Sequence, residues 1–136
     1  MSDHTVKSYD DDLASLKQML AQMGGLAEEQ LANAIDAVAK RDTKLADRVI
    51  AGDEKIDALE QQIEEKSILT IAKRQPMAQD LRQIIVAIRI SSDLERIGDH
   101  TTNIAENIYF LVHGKTIVEE RPKKDSTSTT NYNLTT

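Results

Sequence analysis

The chain predicts an all-α protein, an up-down-up bundle of three long antiparallel helices. Three observations carry that expectation. Apolar residues recur every three or four positions along three long stretches. Aromatic residues make up only 3% of 136 and Trp is absent, so the core must be built from Leu, Ile, Val, Ala and Met. Five glycines and two prolines are too few for a strand-and-turn protein. A chain of this length fits one modest domain.

The first stretch runs from about Tyr9 to Lys40, with Leu13, Leu16, Leu20, Met23, Ala27, Leu31, Ala34, Ile35 and Val38 on one stripe. Asp10, Asp11 and Asp12 favour a helix start beside them. Gly24 and Gly25 interrupt it. Each costs about 1 kcal/mol against Ala, which predicts a bend or a close contact there. Arg41-Asp42-Thr43 reads as a short turn, with Asp42 or Thr43 capping the second helix. That helix extends from about Lys44 to Lys73. Its Leu45, Val49, Gly52, Ile56, Leu59 and Ile63 form a heptad-like seam.

Gln75-Pro76 closes the second helix, and Pro76 is expected to open the third. The third runs to about His113, with Gly114 as terminator. Ala87, Ile90, Leu94, Ile97, Thr101, Ile104, Ile108 and Leu111 alternate by three and four. Upstream, Leu81, Ile84, Ile85, Val86 and Ile88 make the helix apolar on nearly every side. A helix of that kind has neighbours all round, which one three-helix unit cannot supply, so a homo-oligomer is expected, a dimer in the simplest case. Residues 1–114 then form the domain. Residues 115–136, polar and rich in Ser and Thr, are expected to be a disordered tail.

The net charge of −6 argues against nucleic-acid binding, which needs clustered Lys and Arg. There is no cysteine, hence no disulfide, thiolate metal site or cysteine nucleophile. The first residues lack an apolar signal core, and no apolar run approaches the roughly 20 residues that span a bilayer. Membrane association is expected only peripherally, through partners. Ser91-Ser92 has no histidine at a telling spacing, and no Gly-rich loop resembles a phosphate cradle, so no catalytic constellation emerges.

The run DLERIGDHTTNIAEN is the most pointed feature. Glu95 and Asp99 stand one helical turn apart, and Asn103 and Glu106 continue the stripe. At about 100° per residue these four fall within roughly 80° of arc. With Leu94 and Ile97 counted as inward, the stripe is expected to face outward. Spacing favours a solvated face. The alternative is a hard-metal site, because two carboxylates one turn apart repel unless a cation lies between them. Glu95 and Asp99 are the candidate ligands, with Asn103 and Glu106 as further donors. Gly98, unusual within a helix, points to close approach of another helix as readily as to a tolerated defect.

Three segments together resemble the PhoU family of phosphate-uptake regulators: MGGLAEEQLANAIDAVAKRD, RVIAGDEKIDALEQQIEEKSI and AKRQPMAQDLRQIIVAIRISSDLERIGDHTTNIAEN. The resemblance covers about Tyr9 to Gly114. It implies a cytoplasmic, non-enzymatic accessory protein. Such a protein contacts the phosphate ABC transporter, through its ATPase subunit, and the sensor histidine kinase of the phosphate-starvation response, which it represses. It also implies two three-helix bundles per chain, dimers, and in some members multinuclear metal clusters. Those hold iron or another divalent metal through a Glu/Asp-x-x-x-Asp motif, which Glu95 and Asp99 match. This chain departs by holding one three-helix unit. Residues to about Glu95 resemble the first unit of the family, and ERIGDHTTNIAENIYFLVHGK the end of the second, as if joined at ERIGD. The competing reading is a metal-binding helical bundle without a signalling role.

Overall fold

Three helices account for the computed structural model, which describes residues 3–114: α1 (Asp3–Lys40), α2 (Thr43–Arg74) and α3 (Ala78–His113). Among the described residues there is no strand. All three helices pack on one another, so the up-down-up bundle is as the sequence predicts. The proposed tail, residues 115–136, lies outside the described residues.

α1 begins well before Asp10, so Asp10, Asp11 and Asp12 lie inside the helix rather than at its start. Asp12 is held there by α2. Its carboxylate accepts from Arg74 Nε at 3.0 Å and lies 3.7 Å from Lys66 Nζ. Among the described residues no neighbouring helix comes within 4 Å of a Cβ built on Gly24 or Gly25, so no close contact there explains them, and the helix continues through both.

The two turns are short because a left-handed residue ends each preceding helix. Arg41 (φ 52°) closes α1. Its N–H donates to Val38 O at 3.3 Å and Asp42 N–H to Ala37 O at 3.0 Å, the paired bonds of a Schellman stop. Asp42 then caps α2 as expected, its carboxylate accepting from Leu45 N–H at 3.1 Å. Gln75 (φ 47°) ends α2 by donating to Ile71 O at 3.0 Å. Pro76 does not open α3. It and Met77 are used in turning the chain, and α3 starts at Ala78. Gly114 (φ 73°) ends α3 with a bond to Phe110 O, the terminator its sequence predicts.

The core comes in two pieces. One gathers Leu16, Met23, Ile56, Leu59, Ile63 and Ile84. The other is smaller-grained, built on Ala34, Ala37, Ala46, Val49, Ala105 and Ile108. Each fully buried aliphatic side chain of the first contributes about 1.5–3 kcal/mol. Between the pieces, buried polar residues from all three helices meet: Gln30, Asp53, Thr101 and Thr102. Gln30 Nε2 donates to Val49 O. The hydroxyls of Thr101 and Thr102 both donate to Gly98 O, at 2.7 and 3.2 Å, so they are satisfied inside their own helix. A tyrosine ties α3 to a neighbour near either end. Tyr9 OH donates to Asp80 O at 3.0 Å, and Tyr109 OH to Thr43 O at 3.4 Å.

Candidate functional site

The polar belt leads to the edge where α2 meets α3. The hydrophobic count along α3 places Leu94, Ile97 and Thr101 inward and the acidic stripe outward, and the structure keeps Leu94 and Thr101 inward and Asn103 outward but overturns the count at Ile97 and Glu106. Ile97 is 39% exposed, whereas Gly98, Thr101, Thr102 and Glu106 are buried. The reason is steric. Helices approach most closely where side chains are small, and a Cβ on Gly98 would lie 3.0 Å from Asp53 Oδ1 and 3.2 Å from Ile56 Cδ1. Gly98 and the threonines therefore line the seam. Turning them inward carries Asp99 against Asp53 and Asp57 of α2, and buries Glu106 as well.

Asp53, Asp57 and Asp99 then each offer one carboxylate oxygen, and these three atoms lie within 4.8 Å of one another. Asp53 is buried, while Asp57 and Asp99 are partly so. The Oδ1 atoms of Asp53 and Asp57 and Oε1 of Glu106 are shielded from solvent. Glu95 is half-buried one turn before Asp99, on the same edge. Asn103 is exposed, outside the three-carboxylate group, and its carbonyl accepts from Asn107 Nδ2 at 2.8 Å.

Of the sequence-predicted residues, the structure brings Asp99 into a cluster, leaves Glu95 half-buried and Glu106 buried outside the group of three, and leaves Asn103 exposed. Sequence reasoning missed Asp53 and Asp57. The signal was present: Asp53-Glu54-Lys55-Ile56-Asp57 repeats the spacing of Glu95 and Asp99. It is hidden because it runs beside the Gly52 and Ile56 seam, where the heptad reading sees only packing.

The chemistry of the donor set fits a hard or borderline cation. Three oxygens this close repel one another in a half-buried site, where charge is poorly screened. A cation with Ca2+–O distances of about 2.3–2.6 Å, or the shorter ones of Mg2+, spans such a group with little movement. The absence of a Cβ at Gly98 keeps the space beside Asp53 Oδ1 open.

A family model described as the PhoU domain matches residues 20–108. The phosphate-specific transport system accessory protein PhoU homolog of Caulobacter vibrioides (strain NA1000 / CB15N) is 50% identical over 111 residues, 82% of this chain and 48% of the relative. The homolog of the same name from Xylella fastidiosa (strain Temecula1 / ATCC 700964) is 50% identical over 103 residues, 76% of this chain and 42% of the relative. That of Clostridium acetobutylicum is 41% identical over 105 residues, 76% of this chain and 48% of the relative. The chain spans about half the length of the curated relatives it matches.

Proposed function

We propose, because this chain belongs to the PhoU family, that it is an accessory regulator of phosphate uptake and works by protein contact rather than catalysis. The observation that carries this reading is the match of one family domain across residues 20–108, with relatives named for the phosphate-specific transport system. The partners it would meet are the ATPase subunit of the phosphate ABC transporter and the sensor histidine kinase of the starvation response, with repression as the outcome. Both meetings belong to the cytoplasmic face of the membrane. No described helix is long and apolar enough to cross a membrane. Pull-down of the 136-residue chain against each partner tests the reading, and binding to neither overturns it.

Within that role, the carboxylates at the α2/α3 edge are proposed to hold iron or another divalent metal. Asp53, Asp57 and Asp99 would be direct ligands, with Glu95 and Glu106 as nearby donors. The cation would supply charge neutralisation and a bridge between two helices. The residues prepare the place for it: Gly98 lets α2 come close, and Gln30 and the back-bonded threonines rigidify the layer beneath. Elemental analysis after reconstitution is the test. The wild-type chain is expected to retain metal in stoichiometric amount, and Asp57→Asn with Asp99→Asn to lose it. A wild-type chain that retains none sinks the site and leaves the regulatory reading standing.

A further inference from the structure

The seam between α1 and α2 treats its cations in two ways. Near the end of α2, Lys66 and Arg74 both reach Asp12 of α1, at 3.7 and 3.0 Å, and are neutralised there. At about 100° per residue, Arg48, Lys55 and Lys66 fall within roughly 20° of one another, on one edge of α2. Yet Arg48 and Lys55 are exposed and take part in no ion pair among the described residues. Beside them a groove of about 350 Å³ opens between the two helices. Its walls include Arg48, Gly52 and Lys55 of α2 and Glu29, Gln30 and Asn33 of α1.

Gln30 is the anchored member of this set. It is 7% exposed, and its Nε2 donates to Val49 O across the seam. Gly52 makes that crossing possible, since a Cβ there would stand 2.7 Å from Gln30 Oε1. An amide side chain carries two donors and an acceptor oxygen. The bond to Val49 takes up one donor and leaves the other, with the oxygen, for a ligand in the groove. Asn33 is half-buried one turn further along the same wall and brings a second amide.

We propose that this groove binds inorganic phosphate, as the hydrogen phosphate ion. Arg48 and Lys55 supply the positive charge, and a guanidinium fork matches two phosphate oxygens. The amides of Gln30 and Asn33 donate from the facing helix. Glu29 gives selectivity. At neutral pH phosphate keeps a P–OH proton that a carboxylate or amide oxygen accepts, whereas sulfate has none and meets Glu29 as a like charge. Two cations against one carboxylate keep the groove positive in a chain of net charge −6. The site rests on this geometry alone. Its use as a signal of phosphate supply rests on the regulatory reading above.

Calorimetric titration of the full chain in metal-free buffer tests it, so that no cation at the α2/α3 edge recruits the anion. Phosphate is expected to bind with a dissociation constant below about 1 mM, and sulfate at least roughly tenfold more weakly. Arg48→Gln with Lys55→Gln, both at exposed positions, is expected to weaken phosphate roughly 100-fold. Glu29→Gln is expected to bring sulfate to within about threefold of phosphate. Lys17→Gln with Arg82→Gln removes the same charge from the edge of the apolar groove between α1 and α3, and is expected to leave binding within about twofold of wild type. A wild-type chain with no saturable binding up to about 10 mM phosphate overturns the proposal. So does equal affinity for sulfate, or an equal loss in both double variants, which marks a diffuse field rather than a site. The pull-downs against the transporter ATPase and the kinase are read separately, so failure of the anion site and failure of the regulatory reading are told apart.

Discussion

The two edges of α3 solve opposite problems with the same helix. Towards α2 the helix presents Gly98, Thr101, Thr102 and the carboxylates of Asp99 and Glu106, and this acidic edge is closed by a neighbour. Towards α1 it presents Val86, Ile90 and Ile97, and this apolar edge is left open. Polarity would assign them the other way round. Near Gly98, burial follows the size of side chains at the line of closest approach rather than their hydrophobicity. Around Gly98 small and polar residues are sealed inside because they let the backbones meet and Ile97 stays outside, while Ile84 and Ile108 fill the core towards either end of the helix.

The comparison can be broken first where the acidic edge touches the core. Ile56 is fully buried and would meet any side chain placed at Gly98. Ile56→Ala should cost about 2–5 kcal/mol in urea unfolding, because the cavity sits between core and carboxylates. Ile97→Ser on the apolar edge should change the unfolding free energy of dilute protein by less than about 0.5 kcal/mol. Equal losses at both sites would erase the distinction between the edges.

Metal addition gives the next largest effect. If the acidic edge binds a divalent ion, saturation at 100 times the dissociation constant stabilises the fold by about 2.7 kcal/mol, a rise of several degrees in Tm. Asp53→Asn with Asp99→Asn should abolish that rise. A Tm unmoved by iron, manganese, zinc or calcium in the wild type would reduce the edge to packing alone.

Tyr9 sharpens the comparison from the far end of the apolar groove, where it ties α1 to the start of α3. Tyr9→Phe should cost about 1 kcal/mol through loss of the bond to Asp80 O. Burial, and then the charges of Asp80 and Asp10, raise the Tyr9 phenol above its ordinary pKa of 10.0. The folded state therefore favours the neutral phenol. That contribution is complete below the unfolded-state value and is lost as pH rises from about 10 through the raised value. Alkaline titration of stability should show the loss in wild type and not in Tyr9→Phe. The smallest effect is Gly25→Ala, at an exposed helical position with open space around it, which should stabilise by roughly 0.5–1 kcal/mol.

Most of the fold was legible in the sequence. Periodicity located all three helices, Asp42 announced its cap and Gly114 its stop. Val49, Ile56, Leu59 and Ile63 are buried as the α2 seam predicts. The start of α3 was misplaced because Pro76 serves equally in a turn or a first helical turn, and only the left-handed Gln75 decides between them. The site was half legible. Glu95 and Asp99 stood out as a pair on one helix, but their meeting with α2 depends on which face of α3 turns inward. A count of apolar residues ranks Ile97 above Gly98. Close packing of backbones ranks them in reverse, and that preference appears only once a second helix is in place. Asp53 and Asp57 were obscured for the same reason.

The two short turns have an electrical consequence. Turns of two and three residues force successive helices to run in opposite senses, so α1 and α3 point the same way and α2 the other. Each helix carries a macrodipole equivalent to about half a unit charge at either end, positive at its N-terminus. Two cancel, and an odd number leaves one over. The end holding Tyr9 and Asp80 therefore carries a fixed positive bias, and the end holding Lys40 and His113 a negative one.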